Sequence, residues 1–140
     1  MTPAPLVAYA DTNLFVALFA TDEHPSHAAA LRLFQRVAEG ALRLIVTPMV
    51  LAEIAYVTTS VLRWNRANVA EKLGAMLGAD GLEIREQQVL LRTLALYRDV
   101  RRLDFADAYL AALALEEGPP VIASFDADCD AVVGLKRIKR

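Results

Sequence analysis

The chain has 140 residues, 56% of them hydrophobic and 23% charged, with a formal net charge of −2. That length supports one continuous core and a single domain over residues 1–140, and the balance excludes a disordered tail or a polycation that coats nucleic acid. A single cysteine, Cys129, excludes an internal disulfide framework and a thiolate zinc cage. No uninterrupted apolar run reaches the ~18 residues of a membrane span and no basic leader opens the chain, so the expectation is a cytoplasmic protein with no membrane partner.

In chain order, short β-like runs alternate with longer helical ones, the pattern of a parallel α/β fold. LVAYA (6–10) reads as a buried strand, and DTNLFVALFA then turns helical. PSHAAALRLFQRVAEG is a helix with Pro25 near its start and Gly40 at its end, followed by a second strand, LRLIV (42–46). Thr47 and Pro48 have the character of an N-cap and first helical position for PMVLAEIAYVTTSVLRW, and residues 66–78 form another helix closed by Gly78, Asp80 and Gly81. LEIR is a candidate strand. In QQVLLRTLALYRDV, Leu90, Leu94 and Tyr97 repeat at helical spacing, and residues 105–117 form a helix apolar nearly all round, hence expected to be central. Gly118, Pro119 and Pro120 stop it, VIAS (121–124) is a strand, and LKRIK is an edge strand guarded by its charges.

One anomaly recurs along this plan: an isolated acid in an apolar stretch. Asp11 is the only charge in YADTNLFVALFA, Glu53 the only one in TPMVLAEIAYVTTSVL, and Asp107 the only one in FADAYLAALAL; Asp126 stands just past VIAS. An unpaired carboxylate in apolar surroundings is costly and calls for a partner. If LVAYA and VIAS are neighbouring parallel strands, Asp11 and Asp126 emerge at one carboxyl edge, and Glu53 and Asp107, near helix starts, can point at it. Four clustered acids repel one another unless cations lie among them, and oxygen-only ligands favour Mg²⁺ or Mn²⁺. The matching chemistry is metal-assisted phosphodiester hydrolysis.

Simpler roles compete residue by residue. Asp104 can cap the helix beginning at Phe105, yet it lies three residues from Asp107 and can face the same ion. Asp128 and Asp130 suit a solvated loop, and Asp11 suits an N-cap. Glu53, past the first turn of an apolar helix, is the hardest to explain by capping or exposure.

DTN at 11–13 after the first strand, the lone Glu53, DFADAYLAALA at 104–114 and SFDAD at 124–128 together resemble the PIN-domain nucleases, particularly the small VapC-like toxins of bacterial toxin-antitoxin pairs. The resemblance spans nearly the whole chain. It implies a three-layer α/β/α fold with a central parallel sheet and an endoribonuclease using Mg²⁺ or Mn²⁺ held by Asp11, Glu53, Asp107 and Asp126. Asp104 matches a further acidic position of the metal site, and Asn13, Ser124 and Asp128 fall where polar groups support the acids. Cys129 departs from the pattern, since an aromatic commonly follows the last acid. The partners implied are an RNA substrate such as tRNA or rRNA and an antitoxin whose apolar helix carries an arginine towards the acids; the apolar composition also fits a homodimer.

Substrate contacts are less legible. Arg63 and Arg66 flank Trp64, and Lys136, Arg137, Lys139 and Arg140 crowd the C-terminal segment; either set can hold phosphates or simply face water. His24 and His27 lack a third nitrogen or sulfur ligand and read as structural. A receiver domain would need adjacent acids after the first strand, but Thr12 follows Asp11. A calcium loop through Asp126, Asp128 and Asp130 lacks its glycine and its final glutamate. The remaining alternative is a PIN-like module that binds RNA or protein without cutting it.

Overall fold

The computed structural model describes residues 3–140, apart from the Asp22 side chain. The elements follow in the order β1 (Leu6–Tyr9), α1 (Thr12–Phe19), α2 (His27–Ala38), β2 (Leu42–Val46), α3 (Pro48–Ser60), α4 (Arg66–Leu77), β3 (Leu82–Ile84), α5 (Gln87–Asp99), α6 (Phe105–Glu117), β4 (Val121–Ala123) and β5 (Lys136–Ile138). The expected α/β fold with a central parallel sheet is the one adopted. Helix boundaries sit where local chemistry puts them. Thr47 accepts the Val50 N–H at 3.4 Å with Pro48 at the first helical position, and Asn65 accepts the Asn68 N–H at 2.8 Å. Gly81, at φ +84°, makes the turn into β3; a Cβ there would lie 2.5 Å from Val37 Cγ1, so only glycine fits.

The central sheet runs β1-β2-β3, all parallel, with Leu6 opposite Leu42 and Leu44 opposite Leu82. β2, flanked on both sides, buries Leu42, Leu44, Ile45 and Val46, and only Arg43 near its start is exposed, as suits a strand covered on both faces for most of its length. β4 and β5 form a separate two-stranded parallel sheet. This corrects two expectations. β1 pairs only with β2, so LVAYA is an edge strand that leaves Leu6, Val7 and Tyr9 exposed, and VIAS is not its hydrogen-bonded neighbour.

The core gathers Phe15 from α1, Leu51 and Ile54 from α3, Val69, Leu73 and Leu77 from α4, Leu90 and Leu94 from α5, and Ala108 and Ala111 from α6. Each fully buried leucine contributes about 1.5–3 kcal/mol relative to exposure. Helix α6 packs against α5 along its alanine face, but Leu110 stays about half exposed, so the helix is less central than its composition suggests. Two buried hydroxyls are satisfied within their own helices, Thr58 donating to the Ile54 carbonyl and Thr93 to that of Val89, each at 2.8 Å. Among the described residues no helix is long and apolar enough to cross a membrane.

Arg66, one of the candidate phosphate ligands, is instead a clamp. Its Nη1 donates to the Tyr97 carbonyl at 2.9 Å, and its guanidinium lies 4.4 Å from the Tyr97 ring centroid. Trp64 packs against Phe19 as a tilted pair with ring centroids 5.3 Å apart, which ties it into the fold. Arg66→Ala is expected to destabilise the protein by about 1–2 kcal/mol through the lost charged hydrogen bond and cation–π contact, read as a lower urea midpoint at unchanged slope. Full stability in that variant would remove the clamp role.

Candidate active site

The acids singled out in the sequence all lie at the starts of helices or just past strands. Asp11 follows β1 and caps α1, its Oδ2 accepting the Asn13 N–H at 3.4 Å. Glu53 is in the second turn of α3, which follows β2. Its Oε2 accepts a hydrogen bond of 3.0 Å from Thr12 Oγ1, so the two segments are tied directly. Nothing in the sequence marks Thr12, which is nearly fully buried and whose one hydroxyl fixes the Glu53 carboxylate. Asn13 meets Asp11 through its backbone N–H; no hydrogen bond from its side chain is seen among the described residues.

The second group forms around β4. Asp104 caps α6 and accepts the Asp107 N–H at 2.7 Å, which places Asp107 in the first turn, where the helix dipole favours a negative charge. Asp126, three residues past the end of the strand, caps a short 3-10 turn, Ala127–Ala131, by accepting the Asp128 N–H at 2.9 Å. Ser124 Oγ accepts the Asp126 N–H at 3.0 Å. Asp107, Ser124, Asp126 and Asp128 line one small cavity of about 30 Å³ with Leu110, Ile122 and Cys129. That is room for about a single water or ion.

Charge in this cavity is uncompensated. Asp130 is not part of it: Arg137 grips its carboxylate at 2.8 and 3.0 Å, holds it below the usual carboxylate range by that hydrogen bond, and also donates to the Ser124 carbonyl. Among the described residues no lysine or arginine lies within 4.0 Å of Asp11, Glu53, Asp104, Asp107, Asp126 or Asp128. Burial pushes the Asp107 carboxyl above its ordinary range, helped by the charge and a side-chain hydrogen bond of Asp104 and then by Asp126 and Asp128. The oxygen-only donor set and this mutual repulsion suit a hard divalent cation in kind.

Two expectations need correcting. Asp11, Glu53 and Asp126 are exposed and Asp107 only partly buried, so the acids sit on the surface rather than in apolar surroundings. They also stand in two groups, and among the described residues no three acids, histidines or cysteines converge to hold a metal. The strand pairing that would set Asp11 and Asp126 side by side is not made among the described residues, since β1 and β4 are not hydrogen-bonded neighbours. Elsewhere the simpler roles hold. His27 Nδ1 lies 2.8 Å from the Ala17 carbonyl and ties α2 to α1, His24 accepts the Ser26 N–H, and burial raises the Cys129 thiol, which makes it a poor nucleophile.

No curated protein matches the chain in a sequence comparison. The family model described as the PIN domain matches residues 8–135, a span that starts within β1 and includes every acid named above and the 3-10 turn. The chain belongs to the PIN domain family.

Proposed function

We propose that this chain is an endoribonuclease that hydrolyses RNA phosphodiester bonds with Mg²⁺ or Mn²⁺, and that it is the toxin of a toxin-antitoxin pair. PIN domains are generally nucleases and typically bind divalent metal ions. The observation that carries the reading is the uncompensated cavity of Asp107, Asp126 and Asp128, backed by Asp104, at the end of β4. Asp107 and Asp126, with Asp104 beside them, are the residues to hold the cation at the start of α6 and past the end of β4, and Asp11 and Glu53, in the other group, join its ligands only where the cation draws the two groups together. A bound divalent cation supplies Lewis acidity and an activated water.

The chain's own part is positioning. Ser124 and the Asp128 N–H fix Asp126, the Asp104 cap fixes the start of the helix that carries Asp107, and Thr12 fixes Glu53. In the metal-free protein Asp107 keeps its carboxyl proton to higher pH than an ordinary aspartate. Silencing such a site suits an antitoxin helix with an apolar face and an arginine, for which the unpaired acids are acceptors. The exposed Met49 and Tyr56 on α3 and the open edge of β1 offer apolar surface for that partner or for a homodimer.

The separation of the acids into two groups favours one competing reading, a module that binds RNA or protein without cutting it. Mapping RNA ends in bacterial cells after induction separates the two. New discrete ends are expected with the wild type and none with Asp11→Asn. No new ends from either chain would discard the nuclease reading, and the same new ends from both would remove Asp11 from the catalytic set.

A further inference from the structure

Directly before Asp126 stands Phe125, 92% exposed. A single exposed apolar side chain is unremarkable. What distinguishes Phe125 is its company: it lines a cleft of about 330 Å³ with Ala123, Ser124, Ile138, Lys139 and Arg140. Ala123, Phe125 and Ile138 make the apolar part, and two cations border it. Among the described residues neither Lys139 nor Arg140 has a carboxylate within 4.0 Å. Ser124 belongs to this cleft and to the acidic cavity alike, so the two are contiguous, one residue apart along the chain. Asp130, the nearby acid that would oppose an anion, is neutralised by Arg137.

Three chemistries thus meet at one strand end: an open aromatic face, free cations and a carboxylate cavity. These suit the three parts of a nucleotide chain, namely base, flanking phosphate and phosphodiester at the acids. A base in a duplex is already stacked on its neighbours and has no free face to offer, whereas an unpaired base can stack on a protein aromatic. We propose that Phe125, with Lys139 and Arg140, is a stacking platform for an unpaired nucleobase flanking the bond presented to Asp107 and Asp126. The platform's place in cleavage rests on the nuclease reading above; its binding of a base does not. The larger cleft by Trp64 and Tyr97 is less suited, because Trp64 is already paired with Phe19 and Arg66 is committed to backbone carbonyls.

The test uses the full chain and a short single-stranded RNA carrying one 2-aminopurine, whose fluorescence falls when it stacks. Binding is titrated in EDTA, where metal-dependent cleavage is off, and the same RNA is then incubated with Mn²⁺. Phe125→Ala is expected to weaken binding about 5- to 100-fold and to abolish the quench. Phe125→Trp should restore both, Lys139→Ala with Arg140→Ala should weaken binding and flatten its salt dependence, and a duplex of the same sequence should bind equally weakly to wild type and Phe125→Ala. A quench that survives Phe125→Ala, no detectable binding of the single strand by the wild type, or loss of a concentration-dependent dimer in Phe125→Ala with RNA binding unchanged would overturn the platform. Cleavage by the wild type with a quench indifferent to Phe125 removes the platform and leaves the nuclease standing. A Phe125-dependent quench without any cleavage supports the platform and removes the nuclease.

Discussion

Asp126→Asn is expected to fold normally and to cut RNA at least about 100-fold more slowly than the wild type, because replacing even the residues that merely orient metal ligands typically costs 10- to 100-fold. The substitution is nearly isosteric. Asn keeps an Oδ1 that can accept the Asp128 N–H, now at 2.9 Å, and it leaves the Ser124 bond to the residue 126 N–H untouched. The 3-10 turn is therefore preserved while one charge and the stronger oxygen donor are lost. Rates on an RNA oligonucleotide in Mn²⁺, with circular dichroism and urea unfolding of both proteins, separate chemistry from folding. A variant that cuts at the wild-type rate would remove Asp126 from the catalytic set; a variant that loses its fold would make the turn, not the charge, its main role.

The plan of the fold was readable because helix ends and turns are written in local chemistry. Thr47 with Pro48, Asn65, Asp104 and Gly81 each do in the structure what their residue types favour. Exposure was not readable in the same way. α3 reads as apolar apart from Glu53, but Leu51, Ile54, Ala55 and Thr58 face the core while Met49, Glu53, Tyr56 and Ser60 form an outer stripe. Glu53 is thus an acid on a surface stripe that also carries exposed Met and Tyr, and a count of apolar neighbours along the chain mistakes it for buried. β1 misleads for a related reason, since LVAY has the composition of a strand covered on both sides but pairs on one side only. Pairing between distant strands is a tertiary choice that neither segment encodes alone. The Thr12 to Glu53 bond, spanning 41 positions, is of the same kind.

Asp107→Asn is expected to move activity and stability in opposite directions. The Asp107 carboxyl is raised above its ordinary range by burial first, then by Asp104, Asp126 and Asp128, so in the folded metal-free protein it binds its proton more tightly than in the unfolded chain. The sign follows from linkage. Where the native state holds the extra proton, stability falls as pH rises through the interval between the unfolded and folded values, and it stays lower above the folded value. In EDTA the wild type should therefore lose stability as pH rises past the ordinary aspartate value, by this group's share, and Asp107→Asn, which cannot ionise, should lack that share and melt higher at pH 7. Each kcal/mol recovered raises the midpoint by roughly 3–6 °C in a domain of this size. A divalent cation should reverse the ranking, because a ligand at 100 times its Kd stabilises the native state by about 2.7 kcal/mol, and the variant has lost one of its donors. Cleavage should fall at least about 100-fold in the same variant, as for Asp126→Asn. Thermal unfolding of both proteins in EDTA and in Mn²⁺, at two pH values, reads every one of these signs. Equal stabilisation of both by Mn²⁺ would place the cation away from Asp107, and an Asn variant that melts no higher in EDTA at pH 7 would show that the carboxylates around it do not repel enough to matter.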